Sequence, residues 1–160
     1  MKKLDPVLSG KVGKQPARSW LFTPATKPER FGKAREVGAD VQIIDLEDSV
    51  APSEKESSRK NAFGYLGEQN ARGPLLALRV NAMRTLWGLR DLLALVQHEA
   101  QPDFVIIPKV ESTAKITLVA DLLEECRKSS SVVAMVESAR AITRLEPNST
   151  RKRRDPLWIH

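Results

Sequence analysis

Short apolar runs alternate along the chain with longer segments in which apolar positions recur every three or four residues. The first pattern predicts buried strands and the second predicts helices packed by one face. Taken in order, strands are expected at Ser19 to Phe22, Val41 to Leu46, Leu75 to Val80, Phe104 to Ile107 and Val132 to Val136. Helices are expected at about Glu29 to Val37, Glu54 to Leu66, Thr85 to His98 and Thr113 to Arg127. Gly38 is placed to end the first helix, Ser53 to cap the second, and Gly73-Pro74 to separate the second helix from the third strand. In the third helix Leu86, Leu89, Leu92, Leu93 and Val96 form the stripe expected to pack on the sheet.

Five strands separated by four helices, with no hairpin signal, imply parallel β/α units joined by right-handed crossovers. Each strand end delivers polar residues: Thr23, then Asp45, Glu47 and Asp48, then Arg79 and Asn81, then Lys109 and Glu111, then Glu137. That repetition is the pattern of a (β/α) barrel whose site lies at the C-terminal rim of its strands. A doubly wound sheet competes, but its Gly-rich phosphate loop after the first strand is missing. Val41 to Val50 stands out, because an apolar strand runs directly into three carboxylates, which reads as the floor of an active site.

Composition narrows the class. A chain of 160 residues with 41 % hydrophobic content has room for one domain with a real core. No apolar run is long enough to span a membrane, and the polar N-terminus lacks a signal peptide's apolar segment, so a cytoplasmic location is expected. Cys126 is a single thiol in a charged helical context and reads as incidental. The net charge of +6 comes from the ends: residues 1–18 hold five Lys or Arg against Asp5, and residues 151–160 hold four against Asp155. The stretch between them carries 17 basic and 18 acidic side chains. Basic tails without interleaved aromatics argue against nucleic-acid binding.

At the strand ends the residues resemble a known family. Arg18-Ser19-Trp20-Leu21-Phe22-Thr23-Pro24, Asp45-Leu46-Glu47-Asp48-Ser49-Val50-Ala51-Pro52 with Lys55 and Arg59, Arg79-Val80-Asn81, Pro108-Lys109-Val110-Glu111-Ser112 and Met135-Val136-Glu137-Ser138-Ala139 are together similar to the citrate lyase beta-subunit-like family. That family sits in the aldolase superfamily with malyl-CoA and citramalyl-CoA lyases. The resemblance runs from about Arg18 to Ile142.

It implies a TIM-type (β/α)8 barrel and a Mg2+-dependent carbon–carbon lyase. The reaction expected is cleavage of a 3-hydroxyacyl-CoA (citramalyl-, malyl- or citryl-CoA-like) to an acyl-CoA and a 2-oxo acid. Arg79 is the implied contact for the oxo acid's carboxylate, a bidentate role that Lys cannot reproduce; an ion pair with the acidic floor is its other reading. Glu137 is the implied metal ligand and substrate contact, with pairing to Arg140 as its alternative. Asp45, Glu47 and Asp48 are expected to orient metal-bound waters or hold Arg79 in place. Phe22, Arg30, Lys55 and Arg59 fall where the family contacts CoA. Lys55 and Arg59, four apart, would share a helix face as a phosphate clamp or simply as a solvated face with Glu54 and Glu56. The family often has Gly after Pro24, where this chain has Ala25, a substitution that matters if the loop needs a positive φ.

After about Leu145 the resemblance ends. Residues 1–17 read as a flexible N-terminal segment, 18–145 as a partial (β/α) barrel lyase domain of about five units, and 146–160 as an aberrant basic tail. The family's second metal ligand and its catalytic acid are implied for a C-terminal part that this sequence does not match, so no catalytic residue is named. A truncated or frame-shifted copy, with the first and fifth strands as open edges, is the expectation. Its function is then an impaired lyase, homo-oligomeric as in the family if it folds, or a non-catalytic remnant that binds CoA or an intact lyase subunit.

Overall fold

A computed structural model describes residues 17–68, 73–137 and 157–159. Six parallel strands form one sheet in simple sequence order: β1 (Trp20–Pro24), β2 (Val41–Asp45), β3 (Leu75–Arg79), β4 (Phe104–Ile107), β5 (Ser131–Met135) and β6 (Leu157–Ile159). Between them lie α1 (Phe31–Glu36), α2 (Lys55–Gly67), α3 (Leu86–Gln97) and α4 (Thr113–Glu125). This is the unidirectional β/α succession of a barrel, here as an incomplete one whose outer strands are β1 and β6.

The alternation of side chains along each strand divides the core in two. Ile44, Leu46, Leu78, Val80, Val105, Ile107 and Ala134 face the helices and pack with Phe63, Leu66, Leu92, Leu95, Ile116 and Leu123. Several of these, including Ile44 and Leu78, are fully buried, each contributing about 1.5–3 kcal/mol. Val41, Ile43, Ala77, Phe104, Ile106 and Val133 form a smaller cluster on the other face, with Trp20 and Met135 against it. The register pairs Ile43 with Ala77 and Asp45 with Arg79. The same face that is apolar in mid-strand therefore becomes ionic at the C-terminal end.

Three local expectations change. Ser53 is not a cap: Pro52–Glu54 form a 3-10 turn and Glu54 precedes α2 without a side-chain cap bond. In α3 the buried stripe is Gly88, Asp91, Leu92 and Leu95, whereas Leu86, Leu89 and Leu93 are exposed. The helix is apolar on both sides, and periodicity alone could not say which side turns inward. The fifth strand is not an edge, because Val133, Ala134 and Met135 pair with Leu157, Trp158 and Ile159 inside the segment read as a tail. An unpaired strand edge is a template for any apolar strand-forming triplet within reach. Gly38 does terminate α1, at a φ of 85° that disfavours other residues.

Candidate functional site at the strand ends

The carboxyl ends of β2 and β3 meet in a buried ion pair. Arg79 donates from Nε to Asp45 Oδ1 at 2.7 Å and from Nη2 to Asp45 Oδ2 at 2.8 Å, a two-pronged contact between adjacent strands. Asp45 is 1 % exposed and Arg79 8 %. The remaining nitrogen, Nη1, lies 3.4 Å from Glu47 Oε2, 3.8 Å from Asp48 Oδ2 and 3.9 Å from Met135 Sδ. Its guanidinium carbon is 4.6 Å from the centre of the Phe22 ring, so an aromatic face from β1 supports the cation. Asp45 thus fixes two donor positions and leaves Nη1 the least engaged. The ion pair read as the alternative role for Arg79 is formed, and it orients the group.

Glu47 and Asp48 receive a second cation. Lys109, just beyond β4, donates to Asp48 Oδ1 at 2.9 Å and reaches Glu47 Oε1 at 2.6 Å. Lys109 adopts a φ of 54°, an uncommon left-handed conformation for a residue with a side chain. Glu47 is buried with Oε2 lacking a hydrogen bond, while Asp48 is exposed at the start of the loop. Glu137, two residues beyond Met135 on β5, continues that strand's inward parity and is exposed. Arg140, its alternative partner, lies outside the described residues. Glu111 is half-buried in the loop before α4.

These surroundings move the carboxylates in opposite directions. Burial alone would raise Asp45, but hydrogen bonds from Arg79, Ser49 and Glu47 outweigh it and hold the group below its ordinary 3.8. Glu47 is pushed above its ordinary 4.5, chiefly by burial, with Asp48 adding to it against Lys109 and Arg79. Folded Asp45 binds fewer protons than unfolded Asp45, so its contribution is complete above 3.8 and is lost as pH falls through its lower folded value. Folded Glu47 binds more protons than unfolded Glu47, so its contribution grows as pH falls through its raised value toward 4.5. Urea midpoints measured across the acid range are expected to show this second limb in the native chain. Glu47→Gln should remove it and keep the loss below 3.8. Identical profiles for the two proteins would contradict the dominance of burial at Glu47.

The presumed CoA side chains separate into two groups. Phe22 and Arg30 are exposed, Phe22 on β1 and Arg30 at the end of the 3-10 turn Pro28–Arg30. Lys55 and Arg59 do share a helix face, but it points inward, which corrects both the exposed clamp and the solvated face. Lys55 Nζ donates to the carbonyls of Leu46 and Glu47, each at 2.7 Å. Arg59 Nε donates to Asp91 Oδ1 at 2.8 Å and Nη1 to Glu56 Oε2 at 2.8 Å. Alternating charges on a helix surface suggest exposure; the Leu46 and Glu47 carbonyls draw Lys55 inward and the buried Asp91 carboxylate draws Arg59. Ala25 is buried, and among described non-glycine residues only Lys109 and Arg127 have positive φ, so Ala25 meets no left-handed requirement.

Sequence reasoning missed Asp91. Its carboxylate is 1 % exposed and accepts from Arg59 and from both the backbone N–H and the side-chain amide of Asn81. The available signal was an acidic residue inside a leucine-rich helix, in Arg90-Asp91-Leu92-Leu93.

Among the described residues no three His, Cys, Asp or Glu side chains are grouped to hold a metal ion. Lys109 and Arg79 pair with the carboxylates of the acidic floor, and Glu137 lies just beyond the end of another strand, β5. The described residues therefore do not make a complete metal site.

The family model described as HpcH/HpaI aldolase/citrate lyase matches residues 18–151. A (3S)-malyl-CoA thioesterase of Cereibacter sphaeroides is 37 % identical over 127 residues, covering 79 % of this chain and 42 % of the relative. An L-malyl-CoA/beta-methylmalyl-CoA lyase of Rhodobacter capsulatus is 32 % identical over 136 residues, covering 81 % and 43 %. A CitE protein of Mycobacterium tuberculosis, solved with magnesium, acetoacetate and coenzyme A, superimposes with a TM-score of 0.58 at 37 % identity, covering 78 % of this chain and 41 % of that one. The chain spans about two fifths of the length of the curated relatives it matches.

Proposed function

The chain belongs to the HpcH/HpaI aldolase/citrate lyase family, and from that we propose that its strand ends carry one side of a carbon–carbon lyase site for a 3-hydroxyacyl-CoA. The products are an acyl-CoA and a 2-oxo acid. The observation that carries this reading is the orientation of Arg79: Asp45 occupies Nε and Nη2, and Nη1 is left with no closer charged partner than Glu47 at 3.4 Å. A guanidinium held in this way can receive the carboxylate of an oxo acid without first reorganising.

In the cleavage direction, the bond between the thioester's α-carbon and the carbinol carbon breaks. The hydroxyl proton leaves to a base, and the electron pair goes to the α-carbon, which takes up a proton to give the acyl-CoA. The residues described here bind and orient; no base is assigned among them. Phe22 and Arg30 are the exposed groups proposed to meet CoA. Magnesium is proposed as the cofactor by kinship with the CitE complex, with Glu137 as the ligand from this chain. The protein is proposed to act in the cytoplasm; among the described residues no helix is long and apolar enough to cross a membrane.

The test is direct. Purified chain is mixed with malyl-CoA or citramalyl-CoA and magnesium, and release of oxo acid and acyl-CoA is followed alongside calorimetric titration with magnesium pyruvate. Arg79→Lys is expected to weaken pyruvate binding at least about tenfold, because an ammonium cannot span Asp45 and the ligand together. Glu137→Gln should abolish the magnesium dependence of that binding. Unchanged affinity in both variants refutes the assignment. The incomplete metal grouping favours a second reading, a non-catalytic chain that binds CoA or an intact lyase subunit; binding of CoA without turnover, and co-purification with such a subunit, would select it.

A further inference from the structure

We propose that Asp91 is a positioning residue for the strand-end site, a buried anion on α3 that holds the Leu46 carbonyl through Asn81 and, through Arg59, anchors α2, whose Lys55 grips the Leu46 and Glu47 carbonyls. The inference rests on reading that rim as the substrate site. Its path is continuous. Asp91 Oδ2 accepts from Asn81 N at 2.9 Å and from Asn81 Nδ2 at 2.6 Å, and the same Nδ2 donates to Leu46 O at 3.0 Å. Lys55 Nζ donates to that same Leu46 carbonyl and to the Glu47 carbonyl. Arg59, one helical turn after Lys55, is tied to the other oxygen of Asp91 at 2.8 Å. Leu46 and Glu47 are the residues between Asp45 and Asp48, so their backbone sets where the acidic floor points.

A purely structural account explains this group poorly. Gly88, Leu92 and Leu95 make the rest of the buried stripe of α3, and a carboxylate in that stripe incurs a desolvation cost that an apolar residue avoids. The groups facing Asp91 are cationic or amide donors from α2 and from the segment after β3, and it has no carboxylate neighbour in its own contacts. Burial pushes the Lys55 amine below its ordinary 10.5, and Asp91 is first among the charges that hold it up. Asp91 is thus one of the anions that favour the charged form of Lys55 where it grips the two carbonyls.

The variant Asp91→Asn preserves the shape and removes the charge. In backbone and lysine-ammonium NMR of the full chain, the amide signals of Leu46, Glu47 and Asp48 are expected to move and the Lys55 ammonium to lose its protection from exchange. The signals of Val41 to Ile43, at the other end of the same strand, should stay in place. Affinity for magnesium pyruvate is expected to fall about tenfold. Unmoved signals at Leu46 to Asp48 in a folded Asp91→Asn chain overturn the proposal, and so does a uniform shift along all of β2, which would mark a merely structural role. Should Asp91→Asn fail to fold, Asn81→Ser removes the side-chain amide that joins Asp91 to Leu46, keeps the backbone N–H bond to Asp91, and must produce the same local shift; its absence is equally decisive. If the native chain binds no magnesium pyruvate, the lyase reading fails while the NMR result still decides the role of Asp91.

Discussion

Replacing Asp45 with alanine is expected to lower the stability of the chain by about 3 kcal/mol, at the low end of the 3–5 kcal/mol that follows removal of one partner from a buried ion pair. Arg79 would remain 8 % exposed and charged, without the two short contacts at 2.7 and 2.8 Å that now satisfy Nε and Nη2. The low end applies because Glu47 Oε2, 3.4 Å from Nη1 and otherwise lacking a hydrogen bond, stands ready as a substitute. Urea denaturation of the two proteins measures the loss. The double variant Asp45→Ala with Arg79→Met should recover most of it, since removing both charges also removes the desolvation cost. A single variant within about 0.5 kcal/mol of the native chain would place the pair among ordinary surface contacts.

That pair also marks how far the sequence could be read. Asp45 and Arg79 were visible because each follows an apolar run by the strand period, and parallel order then makes adjacent strand ends neighbours. Parity further puts Asp45 and Arg79 on the face of Ile43 and Ala77, so the site's location was contained in the pattern. Its connectivity was not. Lys55 and Arg59 sit among Glu54, Glu56 and Lys60 in a helix whose apolar face is weak, and nothing in such a segment says which charges turn inward. The deciding partners are backbone carbonyls beyond β2 and an aspartate 32 residues away from Arg59. Such contacts depend on tertiary approach, to which local patterning is blind. The sixth strand was hidden for a related reason: Leu157–Ile159 is too short to announce a strand by itself and is recruited by the edge that β5 offers.

Gly88→Ala is expected to destabilise the chain by about 2–3 kcal/mol, although alanine is the better helix former by about 1 kcal/mol. The two effects oppose each other, and distance decides between them. A Cβ at position 88 would overlap the Ala82 carbonyl oxygen and lie 2.7 Å from that of Asn81. These are backbone atoms of the segment that leads from β3 into α3, so no side-chain rotation relieves the overlap and the helix must move away from the strand end. Thr85, which caps α3 by accepting from Gly88 N–H at 3.1 Å, would lose that bond's geometry as well. One turn further along, Asp91 would be drawn back from Asn81, weakening contacts now at 2.6 and 2.9 Å. The glycine is therefore needed for close approach rather than for an unusual φ. The calorimetric check is a melting temperature lower by roughly 4–12 °C, from about 2–4 °C per kcal/mol for a chain of this length, with the Leu46 to Asp48 NMR signals shifting in the same sense as in Asp91→Asn. A Gly88→Ala chain more stable than the native one would mean that helix propensity outweighs the contact, and that α3 does not sit this close to the strand end.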